Sequence, residues 1–64
     1  MNELEDDNLT VKEVANYLKC SEWLIRDLCK KKKIPYFMVG NMYRFRKNKL
    51  EEWIRKEENK NNKY

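Results

Sequence analysis

The 64-residue chain carries a net charge of +4, two cysteines and no histidine. A domain this small buries only about 60% of the surface that its unfolded chain exposes, so its core leaves no room for an enclosed substrate cavity. Histidine is the commonest metal ligand and a frequent general base, and two cysteines are too few for a zinc site, which takes about four ligands. We therefore expect no enzyme, no metal and no cofactor. The absence of a disulfide framework and of any apolar run of ~20 residues favours the cytoplasm.

Basic residues are concentrated in the middle of the chain. Residues 1–9 carry four acidic side chains and no base, whereas residues 26–49 carry nine bases and a single acid, Asp27. A segment of this kind attracts polyanions, of which nucleic acid is the commonest. On charge alone, a lysine-rich surface that is merely solvated remains the alternative.

The first helix is predicted over residues 10–18, after an acidic arm of residues 1–8 that shows no periodicity. Thr10 followed by Glu13 is typical of a capping box, in which each side chain accepts a hydrogen bond from the other residue's backbone N–H. Apolar residues then recur at helical spacing along one face. They are Val11, Val14, Ala15 and Leu18.

A second helix is predicted over residues 22–31, with Ser21 as its N-cap. Its apolar face consists of Leu24, Ile25, Leu28 and Cys29. Its other face consists of Glu22, Trp23, Arg26, Asp27, Lys30 and Lys31. Because only about three residues join the two helices, they must cross steeply, as in a helix-turn-helix.

The residues after Pro35 predict a β-hairpin. Aromatic and β-branched residues flank Gly40 and Asn41, both of which tolerate the positive φ that a two-residue turn requires. Strands are predicted over residues 36–39 and 42–46, and their alternation separates two sets of side chains. Tyr43, Phe45 and Lys47 lie on the face that packs on the helices, and Met42, Arg44 and Arg46 on the opposite face.

A third helix is predicted over residues 49–57, with Asn48 as its N-cap. Leu50, Trp53 and Ile54 are spaced to face inward. Residues 57–64 are polar and are expected to form a frayed tail. The fold class is therefore mainly α with a β-hairpin, in one domain of residues 9–56.

The order helix, short turn, helix, hairpin, helix resembles the excisionase-type winged helix-turn-helix family, which is similar to the DNA-binding part of MerR-type regulators. The matching stretches are LTVKEVANYL, Ser21, KIP at residues 33–35, VGNMYRFRKNKL and LEEWI. Lys19 and Lys32 stand where this family usually has glycine, so both lysines would have to adopt a turn conformation. Trp23 is bulkier than the small polar residue often found at its position.

The resemblance implies that the second helix enters the major groove of DNA and that the hairpin forms a wing at the adjacent minor groove. The major-groove residues would be Glu22, Trp23, Arg26, Asp27 and Lys30. The wing residues would be Gly40, Asn41, Arg44 and Arg46. The phosphate contacts would be Ser21, Lys31, Lys33 and Lys47. Two alternatives remain open: Trp23 packs within the protein, and Asp27 only orients Arg26.

By the same resemblance, the chain would be a small excisionase of a phage or conjugative transposon. Such a factor binds double-stranded DNA in the attachment arms, bends it and helps a tyrosine-type integrase to excise the element. Further copies of itself on the DNA are a second candidate partner, and the location is the bacterial cytoplasm, at the nucleoid when bound. Two alternatives remain: a stand-alone MerR-like transcriptional regulator, and a basic protein-interaction module.

Overall fold

A computed structural model describes residues 8–61, in which three helices and three short strands follow one another. The strands are β1 (Asn8–Leu9), β2 (Phe37–Val39) and β3 (Met42–Arg46). The helices are α1 (Val11–Leu18), α2 (Glu22–Lys30) and α3 (Lys47–Asn61). This arrangement confirms the predicted fold class, mainly helical with a β-hairpin between the second and third helices.

The two predicted N-caps of α1 and α2 are present. The Thr10 hydroxyl accepts a hydrogen bond from the Glu13 N–H at 3.1 Å, and the Glu13 carboxylate accepts one from the Thr10 N–H at 2.9 Å. At the start of α2, the Ser21 hydroxyl accepts from the Leu24 N–H at 3.1 Å. These bonds satisfy backbone donors that a helix start leaves free, and they fix where each helix begins.

Both helices are followed by a lysine in the left-handed conformation, where glycine is the usual residue. Lys19, directly after α1, has a φ of 59°, and Lys32, shortly after α2, has a φ of 58°. In each case the next residue donates its N–H at 2.9 Å to a carbonyl near the end of the helix, as in a Schellman motif. The turn conformation expected of both lysines is confirmed.

β3 is the central strand of an antiparallel sheet in the order β1-β3-β2. β1 was not predicted: Asn8 pairs with Arg46 and Leu9 with Phe45. Asn8, expected in the acidic arm, therefore belongs to a strand. Two residues are too few to show the alternation that signals a strand. The rest of the predicted arm, residues 1–7, lies outside the described part of the chain.

The hairpin joins β2 and β3 through the predicted turn, in which Gly40 has a φ of 62°. Val39 pairs with Met42 and Phe37 with Arg44, so β2 begins one residue later than expected. Because directly opposed residues share a face of the sheet, Phe37 lies on the same face as Arg44, and Val39 on the same face as Met42.

α3 follows β3 without a connecting loop and begins at Lys47, two residues before its predicted start. The N-cap role predicted for Asn48 is therefore wrong. Asn48 lies in the first turn of the helix, where its Oδ1 accepts a hydrogen bond from the Lys49 N–H at 2.9 Å. Lys47, expected to continue the alternation of β3, is an exposed helical residue instead.

α3 also continues past its predicted end at residue 57 and runs to Asn61. Residues 57–61 are helical instead of frayed, and the Lys60 ammonium lies 3.2 Å from the Glu57 carboxylate. Apolar periodicity could not indicate this last turn because every residue from 55 to 61 is polar. Among the described residues, no helix is both long and apolar enough to cross a membrane.

The core lies where α1, α2 and the base of α3 meet β3. Its buried residues are Val11, Val14, Ala15, Ile25, Cys29, Ile34, Phe45 and Leu50. Trp53 and Ile54 pack against this cluster and are partly buried. Leu24 departs from its predicted inward face and is 38% exposed, because it lies about 100° around the helix from Ile25.

Cys20 and Cys29 are both free thiols. Burial raises the pKa of the Cys29 thiol, since an apolar environment disfavours the charged thiolate. Cys29 therefore serves as a small core residue and not as a nucleophile.

Candidate nucleic-acid interface

α2 presents one face to the core and the other to solvent. Ile25 and Cys29 are fully buried on the inner face. On the outer face, Arg26 and Lys30 are exposed, and Trp23 is 70% exposed, the largest value among the large apolar side chains of residues 8–61. The alternative in which Trp23 packs within the protein is therefore wrong for the free domain. The outer face combines an aromatic ring with cationic groups.

Two ion pairs organise the charges on this outer face. The Arg26 guanidinium lies 3.6 Å from the Glu22 carboxylate, and the Lys31 ammonium lies 3.0 Å from the Asp27 carboxylate. Asp27 therefore pairs with Lys31, and the residue beside Arg26 is Glu22. Pairs of this type on an exposed helix contribute only about 0.3–0.5 kcal/mol, so Arg26 can exchange its partner at little cost.

A shallow groove separates the start of α2 from the wing, which we define as residues 37–46. Four of the predicted site residues line it: Glu22, Arg26, Asn41 and Arg44. The fold thus brings the cationic side chain of the second helix and that of the hairpin to one concave surface. Sequence patterns alone could not place them together, because the two arginines lie 18 positions apart along the chain.

The same groove includes the first turn of α1, which sequence reasoning had not connected with the site. Thr10, Val11 and Lys12 contribute to its lining, and Lys12 is exposed. Lys12 adds a further cation to a surface that already holds Arg26 and Arg44. The only signal in the sequence was its place on the polar side of the first helix.

The wing is held to the helices by the side chains predicted for that role. Phe45 is fully buried, and Tyr43 is half-buried with its ring 5.3 Å from that of Tyr36 in an edge-to-face arrangement. This geometry is the preferred one for aromatic pairs. Phe45 faces the core as predicted, whereas Tyr43 also lines the groove beside Arg44.

The arginines of β3 lie along the opposite side of the wing. The Arg44 guanidinium donates to the Tyr43 carbonyl at 3.0 Å and lies 3.8 Å from the sulfur of Met42, so its position is defined by its own strand. The Arg46 guanidinium lies over the ring of Phe37, 5.5 Å from its centroid, as in a cation–π contact. Both cations are therefore held by contacts within the hairpin, but Arg46 lies beside Phe37 and Lys49 and does not line the groove of Arg44.

These features agree with a comparison against known protein families. A family described as a helix-turn-helix domain matches residues 9–58, from β1 into α3. The chain belongs to this helix-turn-helix family. The family includes excisionase-type DNA-binding proteins, and membership identifies the chain as a DNA-binding domain. No curated protein and no solved structure matches the chain significantly.

Not every predicted site residue of this helix-turn-helix domain lies at the groove. Lys33 lies beside Trp53 and Lys60, near the C-terminal half of α3. Lys47 lies beside Leu9 and Tyr17, where α1 meets the start of α3. Both lysines are exposed, but they are separated from the surface that joins Arg26 to Arg44.

Proposed function

We propose that this helix-turn-helix domain is a sequence-specific DNA-binding accessory factor of the excisionase type. One observation carries the proposal: a single open groove is lined by Arg26 from α2 and by Arg44 from the wing. An α-helix fits the major groove of B-DNA, and the wing then lies at the neighbouring minor groove. The basic segment of residues 26–49 supplies the long-range attraction to phosphates.

In the major groove, Arg26 is the residue best suited to read a base. Its side chain is half exposed, and a guanidinium can donate two hydrogen bonds to the O6 and N7 of guanine. Glu22 beside it can accept from the N4 of a cytosine. Trp23, Asp27 and Lys30 occupy the same outer face and complete the set of proposed major-groove residues. The ion pair between Glu22 and Arg26 would then open as each group finds a base.

In the minor groove, Arg44 is the proposed central contact, with Gly40 and Asn41 at the tip of the wing and Arg46 behind it. A narrow minor groove has an enhanced negative potential, which favours an inserted arginine. Ser21, Lys31, Lys33 and Lys47 are proposed to contact phosphates, which position the protein on the duplex without reading its sequence. A domain that grips two adjacent grooves in this way is suited to hold a bent duplex.

The proposed biological role is to bind the attachment arms of a mobile element in a bacterial cell, to bend them and to assist a tyrosine-type integrase during excision. The domain itself would perform no catalysis and would use no cofactor. Membership of a family that includes excisionase-type proteins supports this role. Cooperative binding of further copies along the DNA forms part of the same proposal.

The test is a recombination assay with a tyrosine-type integrase, the proposed partner. We expect addition of the protein to stimulate excision of a supercoiled plasmid carrying both attachment arms, and a footprint to cover those arms. Promoter binding without stimulation of excision would instead favour a MerR-like transcriptional regulator. Failure to bind any duplex at ~50 mM salt, where phosphate contacts are strong, would favour a basic protein-interaction module.

A further inference from the structure

The most unusual side chain on the proposed DNA-binding surface is Trp23. It is 70% exposed on the outer face of α2, and its neighbour Leu24 is 38% exposed. Surface helices normally carry polar residues on this side. A tryptophan has about 150–250 Å² of surface to bury, so an indole left in water has much to gain from an apolar contact with a ligand.

The chemistry of the indole restricts what it can recognise. Tryptophan has one N–H donor and no acceptor, so it cannot make the paired hydrogen bonds by which arginine identifies guanine or asparagine identifies adenine. It offers an apolar surface instead. The C5 methyl of thymine is the apolar group that a base pair exposes in the major groove.

We infer that Trp23 packs against the C5 methyl of a thymine and thereby makes this base part of the recognised site. The inference rests on the proposed docking of α2 in the major groove. The Trp23 contact would specify a thymine in the site, which neither the basic charge of the domain nor the reading of guanine by Arg26 would specify. The contact is apolar, so its contribution should persist when phosphate contacts weaken at higher salt.

The structure also limits where this thymine lies. Trp23 and Arg26 lie three positions apart, which is about 4.5 Å along an α-helix. Successive base pairs are about 3.4 Å apart along DNA. The thymine is therefore expected within about two base pairs of the guanine that Arg26 reads.

The experiment removes single methyl groups from the DNA. A high-affinity duplex is first selected from a random pool, and each thymine in its footprint is then replaced by deoxyuridine, one position at a time. We expect one replacement, within about two base pairs of a guanine, to weaken binding by roughly fourfold, the value of one buried methyl group. Replacement of the other thymines in the footprint should leave binding unchanged.

The matched comparison uses the Trp23→Ala variant on the same duplexes. It should bind the thymine and deoxyuridine forms equally, whereas Lys31→Ala, although it lowers overall affinity and frees Asp27, should keep the fourfold preference because the indole is still present. Trp53 fluorescence and circular dichroism confirm that each variant is folded. A wild-type protein that is indifferent to deoxyuridine at every position, or a Trp23→Ala variant that keeps the preference, would overturn the inference while leaving sequence-specific binding intact. Absence of specific binding to any selected duplex would refute the proposed function as well.

Discussion

The Arg26 guanidinium lies 3.6 Å from the Glu22 carboxylate, one turn earlier on α2. Both side chains are about half exposed, so the pair stabilises the helix by only a few tenths of a kcal/mol. In the free domain this contact holds the cation near the groove that α2 shares with the wing. Because the contact is weak, we expect both groups to exchange it readily for hydrogen bonds to bases when the domain binds DNA.

The Arg26→Ala variant should lose sequence discrimination. Removing a bidentate contact to guanine costs about 1–3 kcal/mol on the specific duplex and little on a random one. Lys31→Ala is the matched control because Lys31 is also paired with a carboxylate on α2. It should weaken binding to all duplexes alike. Fluorescence anisotropy gives the affinities of both variants for a selected and a random duplex. An equal loss of affinity from Arg26→Ala on the two duplexes would rule out a base-reading role.

The Glu22→Gln variant should bind random DNA more tightly and discriminate less. A carboxylate on the proposed interface repels phosphates, and its removal also frees Arg26 from its partner. Glu52→Gln makes the same change of charge at an exposed position on α3 and serves as the control. We expect a several-fold gain for random duplex with Glu22→Gln at ~50 mM salt, where electrostatic terms are large. A gain of the same size from Glu52→Gln would mean that Glu22 does not face the DNA.

The Arg44→Ala variant should lose affinity mainly for sites flanked by A·T-rich sequence. A narrow A·T minor groove attracts an inserted arginine more strongly than a wide one does. Arg55→Ala removes the same group from α3, away from the groove, and should have little effect on this preference. Titrations against duplexes that differ only in the flank provide the measurement, and an Arg44→Ala variant with an undiminished flank preference would exclude a minor-groove role for this residue.

Substitutions at Lys19 and Lys32 should reveal backbone strain. Both lysines have a φ near 60°, a region that costs an L-residue roughly 1–2 kcal/mol but suits glycine. The glycine variant should therefore be more stable than the alanine variant by about 1 kcal/mol at each position. Because both variants lose the lysine charge, the difference between their free energies of unfolding reports the cost of the backbone conformation. Urea unfolding monitored by circular dichroism gives the free energies of unfolding. Equal stability of the two variants would contradict this interpretation.

Local signals in the sequence predicted most of the fold. The Thr10–Glu13 capping box, the Ser21 cap and the alternation around Gly40 each depend on neighbouring residues, and each is present. β1 escaped prediction because its two residues become a strand only by pairing with the free edge of β3. The end of α3 escaped because its last turns carry no apolar residue.

The candidate site was predicted only in part for a similar reason. Arg26 and Arg44 were each expected to contact DNA from the family resemblance, but their common groove depends on how α2 packs beside the hairpin. Lys12 was missed because its place at that groove follows from the position of α1, not from any motif. The exposure of Trp23, which sequence left undecided, follows from Ile25 and Cys29 filling the inner face of α2.

The central claim is that α2 reads DNA sequence through Arg26, and one titration tests it most directly. A labelled duplex selected from a random pool is titrated with the wild-type domain and with Arg26→Ala at ~50 mM salt, beside a random duplex of equal length. The wild type should prefer the selected duplex by at least about tenfold, and the variant should lose most of that preference, as expected for about 1–3 kcal/mol of discrimination. A wild-type domain that binds the two duplexes equally, or neither of them, would contradict the claim.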